Sequence, residues 1–79
     1  MVGPEPELIE SPLCWTIERN GRRLTVNICR ITSERGWSLE VENDRGTSAT
    51  WDDLFDTDRE ADAAFRQALA QDGFEAFLD

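Results

Sequence analysis

The sequence contains no histidine, no tyrosine and no lysine, and all eight of its positive side chains are arginine. Without those three residue types, general acid–base work would fall to carboxylates or thiols. The residue pattern predicts no carboxylate pair facing inward, so no catalytic residue is assigned and the chain reads as a non-enzyme. Cysteine is scarce: Cys14 and Cys29 alone, with no histidine to join them. That excludes both a disulfide framework and a zinc site built on Cys and His. No apolar run approaches the roughly 18 residues that a membrane span needs. The N-terminus carries Glu5, Glu7 and Glu10 and no positive segment, unlike a secretory signal. Together with two reduced thiols, this places the expected location in the cytoplasm.

Basic excess is missing as well. The formal charge is −9, which disfavours nucleic acid and anionic membrane as partners, because both need a basic footprint. With 79 residues the chain holds one domain at most. What is present suits a folded domain: 39 % of residues are apolar, and three Trp and four Phe supply the bulk of a small core.

Read in order, residues 1–12 hold all three prolines (Pro4, Pro6, Pro12) and read as an extended mobile tail. Residues 13–79 read as a single ββββα domain of the α+β class. The first strand covers about 13–19: Leu13, Trp15 and Ile17 alternate with Cys14, Thr16 and Glu18, the period of a half-buried strand. Asn20-Gly21 is a hairpin turn signal, since both positions must tolerate positive φ. The second strand covers 22–31. A two-residue loop sets Ile17 opposite Leu24, Trp15 opposite Val26 and Leu13 opposite Ile28. Glu18 then meets Arg23 and Thr16 meets Thr25 on the other face. That register puts Cys14 opposite Asn27 and diagonal to Cys29 on the outer face. Diagonal Cβ atoms lie about 7–8 Å apart and a disulfide needs about 3.5–4.5 Å, so no bridge is predicted unless a bulge shifts the second strand. Ile31, apolar yet outward by parity, raises that possibility.

A turn over 33–36 precedes a third strand at 37–43, where Trp37, Leu39 and Val41 alternate with polar residues. Asn43-Asp44-Arg45-Gly46 predicts a three-residue loop with Gly46 at positive φ. A fourth strand follows at 47–51, with Val41 opposite Ala49 and Leu39 opposite Trp51. Thr57 and Glu60 form a capping-box pattern opening a helix over 57–72. Ala61, Ala64, Phe65, Ala68 and Leu69 make its core-facing stripe. Gly73 predicts a Schellman stop with Leu69 touching Phe74, and a last helical turn covers 75–78.

Three features are candidates for function. The acidic run Asp52, Asp53, Asp56, Asp58, Glu60 and Asp62 invites comparison with a calcium loop, but the sixth and twelfth positions counted from Asp56 are Ala61 and Gln67. The run reads instead as carboxylates complementing the helix N-terminus, so no metal and no cofactor is assigned. Arg19, Arg22 and Arg23 gather at the hairpin turn as a basic tip, a contact point for an anion or acidic protein, or simply solvated charge. The outer sheet face is small and polar at Thr16, Thr25, Asn27, Ser38, Glu40, Ser48 and Thr50. It is either ordinary solvated surface or a surface for a protein partner or a second copy. Trp15, Trp37 and Trp51 fall on the inward parity and read as core. The leading expectation is a protein-interaction or self-association module using Arg19, Arg22, Arg23, Thr25, Asn27 and Ser38. The alternative is single-stranded nucleic-acid binding through the same face and tip.

Thr50-Trp51-Asp52-Asp53, Phe55-Asp56-Thr57-Asp58, Ala61, Ala64-Phe65 and Gly73-Phe74-Glu75-Ala76-Phe77-Leu78 resemble the C-terminal half of a family of small bacterial proteins of unknown activity. The resemblance spans about 30 residues and implies a fold but no site. A looser likeness is to WGR-type domains, which also place a helix after a small sheet and are linked to nucleic-acid-associated proteins. The chain has Gly36-Trp37-Ser38 where those domains carry Trp-Gly-Arg.

Overall fold

The computed structural model describes residues 6–78. It is an α+β domain: a five-stranded antiparallel sheet with one helix and a short 3-10 turn packed on one face. The strands are β1 (Leu8–Glu10), β2 (Trp15–Arg19), β3 (Arg22–Ile31), β4 (Ser38–Asn43) and β5 (Ser48–Thr50). Helix α1 runs Asp58–Asp72 and the 3-10 turn Phe74–Phe77. Asn20 and Gly21 take φ of 52° and 76°, as the hairpin turn requires. The β2–β3 register is the expected one from Trp15↔Val26 to Arg19↔Arg22, and Val41 lies opposite Ala49.

One strand exceeds the expected four. Leu8–Glu10, read from sequence as tail, pairs with the far end of β3 as Leu8↔Ile31, Ile9↔Arg30 and Glu10↔Cys29. The part of that tail at residues 1–5 lies outside the described residues. β1 and β2 therefore share one edge of β3. Between Glu10↔Cys29 and Trp15↔Val26 that edge advances five residues while β3 advances three. The two extra residues preserve parity, so apolar positions stay on the correct face. Ile31 needs no bulge in β3: its outward side chain meets Leu8 across the ladder.

The break in the edge is held by Ser11 and Cys14, and it displaces Cys14 from its expected place opposite Asn27. The Ser11 N–H donates to the Ile28 carbonyl at 2.9 Å. The Cys14 thiol accepts from the Ile28 N–H at 3.2 Å and donates to the Ile28 carbonyl at 3.3 Å. The Ser11 backbone thus serves the Ile28 carbonyl, and the Cys14 thiol takes the Ile28 N–H in place of a strand carbonyl. Both cysteines are free thiols. Ser11 is buried, its hydroxyl donating to Asp58 Oδ2 at 2.7 Å, which ties the start of α1 to this edge.

The opposite edge uses the same device. After Glu40↔Thr50, the chain through Asp52 and Asp53 bulges away and returns to form a bridge between Trp37 and Phe55. Leu54 folds over Gly36, where an added Cβ would overlap the Leu54 Cβ. Gly36→Ala is expected to cost about 1–3 kcal/mol by overpacking, read as a lower urea midpoint. Restoration by the double change G36A/L54G would locate the strain between these two residues.

The core is Ile17, Leu24, Val26, Ile28, Leu39, Val41, Ala61, Phe65 and Phe74. Phe65 is fully buried at the centre, edge-on to Trp15 at 5.9 Å and 5.7 Å from Phe77. The three tryptophans pack against this core as half-buried walls. Thr57 caps α1, its hydroxyl accepting from the Glu60 N–H at 3.1 Å, a contact worth about 1 kcal/mol. The helix stop differs from the Schellman expectation. Gly73 has φ 85° but ψ 160°, and its N–H bonds to the Leu69 carbonyl at 2.9 Å. That extended exit, open essentially to glycine alone, swings Phe74 into the core.

Candidate interaction surface

The alternation of β3 and β4 sends every second side chain away from the helix. Read across the ladder, the outer face has a row Thr16, Thr25, Glu42 and Ser48, then Asn27, Glu40 and Thr50, then Glu10, Cys29 and Ser38, and finally Leu8 and Ile31. Asn27 donates to Glu40 Oε1 at 3.4 Å, and the Ser38 hydroxyl donates to the Cys29 carbonyl at 3.1 Å with the Cys29 thiol 3.2 Å away. Neighbouring polar groups therefore hold one another, and the face is pre-ordered. At its end Leu8 is 63 % and Ile31 41 % exposed, an apolar cross-strand pair on an otherwise polar surface. Among the described residues, no secondary-structure element covers this face.

The six residues singled out from sequence do not form one site. Thr25, Asn27 and Ser38 share the outer face, and Arg23 joins them at its hairpin end, opposite Glu18. Arg19 turns to the helix side, its guanidinium 5.4 Å from the centre of the Phe74 ring. Arg22 reaches across to the β4–β5 loop and binds Asp44 through Nε and Nη2, at 2.9 and 2.8 Å. The expected basic tip is thus divided: Arg19 and Arg22 stand opposite each other on the helix side and reach to Phe74 and Asp44, while Arg23, the next residue along β3, alternates to the outer face. Arg19 and Arg22 do line a shallow cleft with Asn20, Phe74, Glu75 and Leu78. Two further arginines also cover aromatics: Arg30 lies 5.6 Å from Trp37, and Arg66 lies 4.5 Å from Trp15 while bonding Asp62. These contacts screen tryptophan faces that strand aromatics would otherwise offer to bases or sugars.

The charge on the outer face follows from the same register. Glu10, Glu18, Glu40 and Glu42 point outward from the strands, against Arg23 alone in β2–β4. Sequence reasoning placed Glu40 there but not Glu10, which was assigned to the tail. The signal for it was the Leu8-Ile9 pair, too short for a periodicity to register.

Asp44 has the clearest titration shift. The Arg22 guanidinium gripping both its oxygens, with the Arg23 N–H, holds its carboxyl at about 2, well below the usual range. The folded state therefore binds this proton less readily than the unfolded chain. Its contribution is fully present above the unfolded value near ~4 and is lost as pH falls through about 2. Asp44→Asn is expected to lower the urea midpoint at neutral pH, with the two proteins converging as pH approaches 2. A constant difference across that range would contradict the assignment.

Among the described residues no group of three or more His, Cys, Asp or Glu is placed to hold a metal ion, and no helix is long and apolar enough to cross a membrane. Comparison with protein-family models, with curated proteins and with solved structures returns no match.

Proposed function

We propose that this protein is a non-catalytic interaction module whose outer sheet face binds a protein partner bearing positive charge. The observation that carries the reading is the uncovered face itself, with its pre-ordered polar rows, its outward Glu10, Glu40 and Glu42, and the exposed Leu8–Ile31 pair at one end. An apolar anchor beside acidic groups suits a basic segment that also offers an aliphatic or aromatic side chain. The same glutamates argue against the alternative of single-stranded nucleic acid, whose phosphates they would repel.

Titration with an arginine-rich peptide containing a leucine, followed by backbone amide shifts, tests the proposal. Shifts are expected at Thr25, Asn27, Ser38, Glu40 and Ile31, weakening as salt rises. Changing Thr25 and Ser38 to Arg is expected to abolish them while leaving the chain folded, seen as a retained cooperative melt. Shifts confined to other surfaces, or unaltered binding by the double variant, would remove the outer face from consideration. Saturable binding of an oligonucleotide at low salt would favour the nucleic-acid alternative.

A further inference from the structure

We propose that the free edge of β2 pairs antiparallel with the β2 edge of a second copy, about a two-fold axis passing beside Ile17. This inference is independent of the outer-face reading, because it uses backbone groups in the plane of the sheet. The Asn20-Gly21 turn makes Arg19↔Arg22 the closing pair, so the backbone groups of Trp15, Ile17 and Arg19 point into β3. The Ser11 and Cys14 bonds to Ile28 agree, since they show even-numbered β3 residues directing N–H and C=O toward this edge. Thr16 and Glu18 therefore direct their N–H and C=O outward, where no described strand meets them.

An antiparallel partner centred on Ile17 pairs Thr16 with the partner's Glu18 and Glu18 with the partner's Thr16. Each pair exchanges both backbone hydrogen bonds. Ile17 meets the partner's Ile17 on the helix side, extending the apolar core across the join. Trp15 meets the partner's Arg19. No like charges oppose one another anywhere along this strip. That matters in a chain of formal charge −9, where face-to-face pairing would bring Glu10, Glu40 and Glu42 together. The other edge offers less: β5 spans only Ser48–Thr50, has no large apolar residue, and runs into Asp52 and Asp53. A symmetric closed pair also satisfies the edge of each copy at once, which limits further growth.

So short an interface makes a weak dimer, populated at concentrations on the order of a millimolar. Sedimentation equilibrium of the whole chain tests it. Thr16 is exposed and faces the partner's Glu18 twice in the dimer, so charge at this position acts twice. Thr16→Lys is expected to tighten dimerisation about tenfold and Thr16→Glu to loosen it about tenfold. Adding Glu18→Lys to Thr16→Glu restores opposite charges and is expected to recover the dimer. S38R, which alters the outer face on β4 with β3 between it and the β2 edge, is expected to leave the dimer intact, so this test and that of the outer face fail separately. A wild-type chain monomeric at about millimolar concentration would overturn the proposal. So would the same shift from lysine and glutamate at Thr16, or loss of the dimer in S38R.

Discussion

Phe65→Ala is expected to leave the chain unfolded at 25 °C, seen as loss of the near-ultraviolet tryptophan signal and of the cooperative melt. Phe65 is the one large helix residue with no exposed surface, and it meets the sheet core, Trp15 and Phe77 together. Its neighbours along the buried stripe are alanines, Ala61 and Ala64, which bring the helix close but fill little volume. Truncating a buried Phe costs about 3–5 kcal/mol, comparable to the roughly 3–5 kcal/mol of net stability a domain of this size has. Phe65→Leu keeps most of the volume and is expected to cost about 1 kcal/mol, giving a folded protein with a lower melting temperature. A folded alanine variant would mean that the half-buried tryptophans collapse into the space.

Asn43→Ala is expected to cost about 2–3 kcal/mol, since a buried polar hub leaves its partners unsatisfied. Asn43 is only 4 % exposed. Its Oδ1 accepts from the Arg45 and Thr47 N–H groups, at 2.9 and 3.0 Å, closing the β4–β5 turn. Its Nδ2 donates to the Phe77 carbonyl at 3.1 Å, fastening the C-terminal turn to the sheet. Asn43→Asp separates the two functions. The acceptor contacts persist, but an anionic oxygen then faces the Phe77 carbonyl. The aspartate variant should therefore be destabilised at neutral pH and partly relieved as acid protonates it, whereas the alanine variant should show no such relief. Urea midpoints of both variants from pH 4 to 8 decide this; parallel profiles would show that the Phe77 contact contributes little.

The hairpin, the helix cap and the β4–β5 turn were legible because each depends on adjacent residues. Asn20-Gly21 and Gly46 occupy the positive-φ positions their turns demand, and Thr57 caps the helix from the N-terminal side. Alternation in β2, β3 and β4 then selected the inward residues: Ile17, Leu24, Val26, Ile28, Leu39 and Val41 lie in the buried core, and Leu13, Trp15 and Trp37 pack half-buried against it. Ile31 was an anomaly in sequence because its partner, Leu8, stands 23 positions earlier, within a proline-rich segment. Asn43 looked like an ordinary turn residue, since its tie to Phe77 spans 34 positions of the sequence. The candidate site was legible only in part: Thr25, Asn27 and Ser38 lie on the face their parity assigned. Arg19 and Arg22 went to Phe74 and Asp44, because a long flexible cation settles on whatever lies within its reach.

By itself, then, the sequence determined the α+β class, the β2–β3 register, the helix start and the identity of the core face. Turn chemistry, side-chain period and capping act over a few residues and need no other part of the chain. The tertiary structure alone decided the fifth strand, the Cys14 and Ser11 closure of the sheet edge, the Trp37–Phe55 bridge and the destinations of the arginines. These depend on backbone groups and ring faces brought together from distant positions, and no local pattern encodes what will stand opposite them.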